Sequence, residues 1–226
     1  MITLKDIKQD PVFQTLIDRS NSYLKAKGYT EHGLRHVSYV SHKTAQVLRE
    51  LGHNDRTVEL GAIAGYLHDV GNLINRKHHS ISGAGLVFQE LRRLGMDVDE
   101  ICTITTAIGN HEEQIGQAVD PVTSALILAD KSDAHRTRAN RLEDDRRPGI
   151  HDRVNLAITD SKLYVDKEEK TITLEISFDQ AICQIMDFFE IYLTRMEMCK
   201  EASTVLGCRF RLVINDLEFL GNLNRY

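Results

Sequence analysis

The chain has 226 residues, of which 42% are hydrophobic and 27% charged, a composition that argues against both a disordered and a membrane protein. Its formal charge of -5 argues against a broad nucleic-acid-binding surface, which would carry a basic stripe. Its apolar runs are too short to span a bilayer, it shows no secretory signal, and its cysteines show no Cys-x-x-Cys spacing, so we expect one compact cytoplasmic protein without membrane or nucleic-acid partners.

The first part of the sequence predicts helices. Asp10-Pro11 is typical of a helix start, with an N-cap followed by proline at the first helical position, and this helix should end at Gly28. Apolar residues with a period near 3.6 predict further helices. These helices should span about 34–51, 55–71, 79–94 and 98–110.

Asp120-Pro121 repeats the same start signal. The helix that it begins should have an apolar first half, Val122 to Ala129, that carries Asp130 into the interior. Its second half is long and polar, and we expect it to continue until Pro148-Gly149 breaks it.

The pattern changes after residue 148. Residues 163–165 and 171–177 alternate between apolar and polar around a charged turn, which predicts a hairpin. A long helix should follow at about 180–206, and the alternating segment 209–214 could pair with the hairpin.

The predicted fold is therefore mainly α. We expect a helical bundle over residues 1–150 and an α+β appendage over residues 151–226, which packs on the bundle and contains a small antiparallel β-sheet and a long helix. The appendage has no chemical signature of its own, so its role should be packing or a homodimer contact.

The adjacent pair His68-Asp69 is the strongest indication of function, because it ends an apolar helical run where a soluble helix usually carries neither side chain. Four more candidate ligands lie in runs of helical character. They are His36, His79, His111 and Asp130. A lone histidine beside an apolar stripe is more often an ordinary core or surface residue, so the interpretation depends on the whole set.

Imidazole nitrogen and carboxylate oxygen are ligands that divalent transition metals prefer. Asp69 is short and could place its two oxygens on two ions. His36, His68 and Asp130 would complete the coordination of the first ion. His79 and His111 would hold the second.

The order His36, His68-Asp69, Asp130 resembles the HD superfamily of metal-dependent phosphohydrolases, over about residues 30–140. The resemblance implies a mostly helical fold and hydrolysis of a phosphate ester or a nucleotide. His79 and His111 match the two additional histidines of the dinuclear branch, which includes dinucleoside-tetraphosphate hydrolases and cyclic-di-nucleotide phosphodiesterases.

The dinuclear branch implies two divalent transition-metal ions, such as iron or manganese. It also implies a metal-activated hydroxide that attacks a phosphoester or phosphoanhydride, with Asp69 orienting the nucleophile.

Two departures from the family pattern affect the expected substrate. Many members have lysine three residues after the aspartate of the pair, whereas this chain has Asn72 and lacks that positive charge. The cyclic-di-nucleotide branch has a second histidine and a Gly-Tyr-Pro signature where this chain has Asn110 and the segment 114–117. We therefore expect a small phosphorylated substrate, a nucleotide, but disfavour a cyclic dinucleotide.

Positive charge for the substrate should come from the segment that follows Asp130. We predict Asp69 and Lys131 as catalytic residues. The predicted substrate-binding residues are Lys131, Asp133, Arg136 and Arg138. The alternative for this segment is a solvated helix face, which we favour for the later arginines, and His135 fits either interpretation.

The remaining polar residues leave some assignments open. Glu112 could accept a hydrogen bond from an imidazole N–H, and His78 could replace His79 if the helix began one residue earlier. His32 is expected to lie outside the set, and His151 should be a surface residue.

Two other functions are compatible with the sequence. The first is a catalytically silent HD-type module that senses a nucleotide and uses residues 155–226 as its output surface. The second is a helical adaptor whose histidines are incidental.

Overall fold

The computed structural model describes residues 1–29, 31–136 and 149–220, apart from the side chain of Leu220. Its helices are α1 (Leu4–Gln9), α2 (Pro11–Ala26), α3 (Leu34–Glu50), α4 (Asp55–Leu67), α5 (His79–Arg93), α6 (Val98–Gly109), α7 (Pro121–Ser132), α8 (Ile150–Ala157) and α9 (Ile185–Val205). A short 3₁₀ helix, Val70–Leu73, follows α4. The strands are β1 (Ile158–Asp166), β2 (Thr171–Phe178), β3 (Arg209–Ile214) and β4 (Leu217–Leu220). The expected mainly helical fold is confirmed.

Side-chain caps fix where several of these helices begin. Asp10 accepts a hydrogen bond from the Val12 amide at the start of α2, and Asp120 accepts one from the Thr123 amide at the start of α7. Such a cap satisfies a backbone N–H that has no partner inside the helix. The two Asp-Pro signals were therefore reliable predictors of helix starts.

Helices α4 and α7 lie in the middle of the bundle. Both are buried over almost all of their apolar residues, and α4 packs against α3, α6 and α7. The carboxyl end of each helix therefore lies in the protein interior. This position brings His68, Asp69 and Asp130 together.

The expected long polar continuation of α7 is wrong. The helix ends at Ser132, and Asp133 leaves the helical conformation with φ -80° and ψ 59°. Its side chain is bonded to two residues of α3, Arg35 and His36, which fixes it away from the helix axis. Residues 137–148 lie outside the described part of the chain.

The hairpin of β1 and β2 is confirmed, with Leu163 opposite Leu174. The sheet as a whole, however, is mixed and not antiparallel, in the order β1-β2-β3-β4. Strand β3 runs parallel to β2, with Leu212 beside Leu174, because α9 crosses over between them and returns the chain to the same end of the sheet. Strand β4 turns back on β3 through Asn215-Asp216, whose φ angles of 49° and 67° suit a two-residue hairpin.

Helix α9 covers this sheet on one side and packs against α7 on the other. Helices α1 and α8 and strand β4 were not predicted from the sequence, and each has eight residues or fewer. Within the described ranges, none of the helices has the length and apolar character needed to cross a bilayer.

Candidate metal centre

The six predicted ligands come from different elements and meet in the interior of the bundle. They are His36 in the first turn of α3, His68 and Asp69 just after α4, His79 at the start of α5, His111 just after α6, and Asp130 in the last turn of α7. Except for the partly buried Asp130, all of these side chains are buried.

Glycines allow the helices to approach closely enough for this convergence. A Cβ atom at Gly65 of α4 would lie 2.8 Å from the Cα atom of Ser41 in α3. A Cβ atom at Gly71 would overlap the carbonyl oxygen of His79. A side chain at either glycine would force the backbones apart, so both glycines permit the close approach of the segments that carry the ligands.

One oxygen of Asp69 faces the first group of ligands. Its Oδ2 atom lies 3.5 Å from Nε2 of His36 and 3.4 Å from Nε2 of His68. The same two nitrogens lie 3.4 and 3.6 Å from Oδ1 of Asp130, and 3.2 Å from each other.

The other oxygen of Asp69 faces the second group. Its Oδ1 atom lies 3.3 Å from Nε2 of His79 and 3.9 Å from Nε2 of His111. These two nitrogens are 3.1 Å apart. Asp69 therefore lies between two pairs of imidazoles and presents a different oxygen to each.

Each of the four imidazoles also donates a hydrogen bond through its other ring nitrogen, Nδ1. The acceptors of the Nδ1 hydrogens are Asp133 Oδ2 for His36 (2.6 Å), the Gly65 carbonyl for His68 (2.9 Å), the Arg76 carbonyl for His79 (3.1 Å) and the Ile108 carbonyl for His111 (2.6 Å). A proton on each Nδ1 leaves the lone pair of each Nε2 directed at the centre, which is the usual arrangement of a metal-binding histidine.

This donor set fits a divalent cation. Oδ2 of Asp69 is buried and has no hydrogen-bond partner among the described residues, a costly state for a carboxylate oxygen. Donor atoms of His36, His68 and Asp130 lie within 4.8 Å of one another, and so do those of His68, Asp69 and His111. Lone pairs and carboxylate charge that converge in this way repel each other unless a cation lies between them.

Protons can occupy the position proposed for a metal ion, and the pKa values of His79 and His111 show where. Burial would lower the pKa of His79, but hydrogen bonds to Asp69 and Glu112 raise it to about 9. Burial, together with the neighbouring charge of His79, lowers the pKa of His111 to about 3. Without a metal, His79 therefore carries an additional proton at neutral pH, whereas His111 stays neutral.

Asn72 has a structural role at the position where many family members have lysine. It is fully buried, and its Nδ2 donates to Oδ1 of Asp69 at 2.8 Å. Nη1 of Arg76 in turn donates to Oδ1 of Asn72 at 3.2 Å. The amide fixes the central carboxylate and connects it to an arginine that the sequence analysis did not single out.

The histidines near the ligands are now distinguishable. His78 is exposed and His79 is buried at the centre. Contrary to expectation, His32 is only 7% exposed and lies at the site, with its Nε2 4.0 Å from Oδ2 of Asp69. Its position one helical turn before His36 was the available signal. Glu112 lies behind His79, 3.4 Å from its Nδ1, and accepts a hydrogen bond from Ser80.

Lys131 lies beside the centre and lines a cavity that opens onto it. Its Nζ is 2.7 Å from Oδ2 of Asp130 and 3.0 Å from Oε1 of Glu113. Burial would lower the pKa of Lys131, but these two carboxylates raise it. The side chain therefore remains a cation at neutral pH.

The other predicted substrate-binding residues lie elsewhere. Asp133 is buried behind His36 and forms a two-pronged ion pair with Arg35, at 3.1 and 2.8 Å, so it does not face the substrate. Arg136 is exposed and does not line the cavity described below. His135 is bonded to the Thr159 carbonyl of β1, and Arg138 lies outside the described residues.

A cavity of about 450 Å³ opens onto the centre. The bundle contributes Asp69, His79, His111, Asp130 and Lys131 to its wall, and the appendage contributes His151, Asp152, Asn155, Tyr192 and Arg195. The expectation that the appendage only packs is therefore incomplete, and so is the expectation that His151 is simply a surface residue.

Arg195 of the appendage contacts both the bundle and its own helix. Its Nε lies 3.0 Å from Oε1 of Glu113, and its guanidinium lies over the ring of Tyr192 at 4.7 Å. The Tyr192 hydroxyl donates to Asn155 at 2.8 Å. In the sequence, the signal for Arg195 was its position directly beside Met196, which belongs to the apolar face of a long helix.

Part of the chain matches a known protein family. The family model described as "HD domain" matches residues 33–141. Among solved structures, the chain is similar to a predicted HD superfamily hydrolase from an uncultured Thermotogales bacterium, with 19% identity and a TM-score of 0.42 over 59% of this chain and 75% of that one. No curated protein matches the sequence significantly. The match therefore identifies an HD domain within residues 33–141 of this chain.

Proposed function

We propose that this protein is a metal-dependent phosphohydrolase of the dinuclear branch, which cleaves a phosphoester or phosphoanhydride of a nucleotide. The observation that carries the proposal is the position of Asp69. Its two oxygens face two separate pairs of imidazoles, at 3.3 to 3.9 Å. A carboxylate between two such sets is the arrangement that a bridging ligand requires.

The ligands divide between two ions in the way that the sequence suggests. His36, His68 and Asp130 would hold one ion, His79 and His111 the other, and Asp69 both. Bound there, two divalent ions would supply Lewis acidity, which neutralises charge on phosphoryl oxygens and lowers the pKa of water. Imidazole and carboxylate ligands suit iron, manganese or similar metals.

The protein's own residues would position the reactants. The amide of Asn72 holds Asp69 in one orientation, so this carboxylate can accept a hydrogen bond from the attacking water without turning. The ammonium group of Lys131 lies next to Asp130 and lines the cavity. Since Lys131 stays protonated, its role is to stabilise negative charge on the phosphoryl group and not to remove a proton.

Two features support a nucleotide as the substrate. The cavity volume of about 450 Å³ lies in the range of small-molecule binding sites. The cavity also combines cationic groups with the exposed aromatic ring of Tyr29, and such a ring can stack on a base.

The test is to measure metal content and phosphate release on the same samples. We expect about two ions per chain in protein reconstituted with manganese or iron. We also expect phosphate release from at least one member of a panel of mononucleotides, nucleoside polyphosphates, dinucleoside polyphosphates and simple phosphomonoesters. Asp69→Ala should lower the rate by at least about 100-fold, since it removes the bridging ligand.

Asp160→Ala is the matched control. Asp160 is half-buried on β1, pairs with Lys162 and does not line the cavity, so its loss should leave the rate unchanged. Hydrolysis by Asp69→Ala at the wild-type rate would disprove the mechanism.

A nucleotide sensor without turnover is the second candidate. It is favoured by the cavity wall that α9 provides through Tyr192 and Arg195, because a ligand there would touch the appendage directly. This function predicts saturable nucleotide binding by metal-replete protein with no phosphate release from any member of the panel.

A further inference from the structure

Among the described residues, two lysines and two arginines line the cavity, and they differ in their partners. Lys131 pairs with Asp130 and Glu113, and Arg195 pairs with the same Glu113. The positive charge of these two residues is therefore largely matched by carboxylates of the protein. The other two cations are Lys27 and Arg76.

In the described part of the chain, the guanidinium of Arg76 contacts neutral groups. Its Nη1 donates to Oδ1 of Asn72 at 3.2 Å, and its Cζ lies 5.9 Å from the centroid of the Tyr29 ring. Among the described residues, it forms no ion pair with a carboxylate. A partly buried guanidinium with a full positive charge, an amide on one side and an aromatic ring beside it, is well placed to bind an anion.

The position of Arg76 indicates which anion it meets. Oδ1 of Asp69 accepts from Asn72, and Asn72 accepts from Arg76, so one amide side chain separates the guanidinium from the carboxylate between the two proposed ions. A phosphoryl group bound to the proposed ions would lie close to Asp69 and the four imidazoles. The next anionic group along the substrate would meet Arg76.

The neighbouring surface adds to this positive charge. Lys27 also lines the cavity, two residues before Tyr29 in the sequence, and its ammonium lies over the ring of Tyr23 at 5.1 Å. Lys27 and Arg76, each next to an aromatic ring, therefore add two positive charges to the cavity wall.

We propose that Arg76 forms a second anion subsite beside the metal centre and selects a substrate with at least two linked phosphoryl groups, such as a nucleoside di- or triphosphate, over a phosphomonoester. The inference rests on the proposed function and deepens it. Arg76 is a specificity residue here: its planar fork donates two hydrogen bonds to the phosphoryl group adjacent to the one at the ions.

The test compares two small anions on manganese-loaded protein by calorimetry. The probes are inorganic phosphate, with one phosphoryl group, and imidodiphosphate, with two linked groups that resist hydrolysis. Wild-type protein should bind imidodiphosphate at least about 10-fold more tightly than phosphate, and Arg76→Gln should remove most of this preference, since each charge-assisted hydrogen bond is worth about a factor of ten or more. Phosphate affinity should change by less than about 2-fold.

Lys77→Gln is the matched control. It removes the same charge one residue away, from an exposed side chain that does not line the cavity, and should leave both affinities unchanged. Arg76→Lys should keep part of the preference, because the charge remains and the two-pronged geometry is lost. Manganese content, measured after each titration, must stay at the wild-type value.

Two results would overturn the inference. Equal weakening of both probes in Arg76→Gln would mean that Arg76 reaches the group at the ions, and unchanged affinities would mean that it binds neither. The comparison involves no turnover. Wild-type protein that prefers imidodiphosphate through Arg76 but releases no phosphate would therefore disprove the proposed activity and leave the subsite standing.

Discussion

Asp133 supplies a side-chain acceptor for the Nδ1 hydrogen of His36. His68, His79 and His111 donate their Nδ1 hydrogens to backbone carbonyls, which no substitution at the acceptor removes. His36 donates to Oδ2 of Asp133 at 2.6 Å. Its orientation can therefore be changed without touching any proposed ligand.

Asp133→Asn should weaken metal binding while the fold is kept. The neutral amide is a poorer acceptor for His36 and removes the ion pair between Arg35 and Asp133. Loss of such a supporting contact commonly costs about 10- to 100-fold in metal affinity. Competition with a chromogenic chelator would measure the affinity, and circular dichroism the fold. Asp160→Asn is the control, and equal affinities for the two variants would contradict the role assigned to Asp133.

The raised pKa of His79 makes a prediction about pH. Since this pKa is about 9 in the metal-free protein, His79 carries a proton at neutral pH that a bound ion must displace. Apparent manganese affinity should therefore rise with pH up to about 9, by close to 10-fold per unit for one displaced proton. Titrations in buffers of different ionisation enthalpy would count the proton released.

Glu112→Gln provides the control for this pH dependence. Glu112 raises the pKa of His79 through its hydrogen bond. In the variant, His79 should therefore titrate at lower pH, and metal affinity should depend less on pH between about pH 7 and pH 9. A steep dependence that persists in the variant would mean that another group holds the proton.

At this scale the sequence was informative where chemistry requires an unusual residue. A buried His-Asp pair and polar residues in apolar helices indicated the six side chains that converge. Three of the Nδ1 acceptors are backbone carbonyls, which every sequence contains, so no pattern could reveal them. Asp133 was assigned to the substrate because the predicted helix continued past Ser132, whereas the chain turns there and brings Asp133 under His36.

At the scale of elements, the packing of the 3₁₀ helix on α5 depends on Gly71. A Cβ atom there would overlap the carbonyl of His79 and lie 2.5 Å from the amide nitrogen of Gly83. Both of those atoms belong to the α5 backbone and cannot move aside singly. Any side chain at position 71 must therefore push α5, and His79 with it, away from Asp69.

Gly71→Ala should lower the free energy of unfolding by about 3 kcal/mol and also weaken manganese binding. Gly85→Ala is the matched control. Gly85 is an exposed residue of α5, and an added Cβ atom there has no neighbour within 4 Å. The control should gain up to about 1 kcal/mol from helix propensity. Urea unfolding of the two variants measures the difference, and similar losses in both would contradict the packing argument.

Elements were predictable where a local signal exists. The starts of α2 and α7 follow from their Asp-Pro caps, and the hairpin of β1 and β2 from its alternation. The pairing of β3 was not predictable in the same way, because its direction depends on where α9 docks. Docking is a property of the assembled core, and a period-two pattern is the same in parallel and antiparallel strands.

At the scale of the whole molecule, Glu113 connects the HD domain to the appendage. It follows α6 in the bundle, and its carboxylate lies 3.0 Å from both Lys131 of α7 and Arg195 of α9. The same network forms one wall of the cavity, so the contact that joins the two parts of the chain also shapes the candidate active site.

This network should contribute to stability in a pH-dependent way. Burial would raise the pKa of Glu113, but Lys131 and Arg195 lower it to about 2 from an ordinary value of 4.5. A carboxyl group whose pKa is lower in the folded state stabilises the fold above its unfolded pKa. That contribution is lost as the pH falls from about 4.5 towards about 2.

Glu113→Gln removes this contribution while preserving the shape of the side chain. In metal-free protein at pH 7, the variant should be less stable than wild type by on the order of 2 kcal/mol, and the difference should shrink below about pH 4.5. Urea unfolding of both proteins between about pH 3 and pH 7 measures it. Other acidic groups, such as Asp69 and Asp130, titrate in both proteins and cancel in the difference. A stability difference that stays constant over this pH range would therefore show that the ionised Glu113 does not hold the appendage to the HD domain.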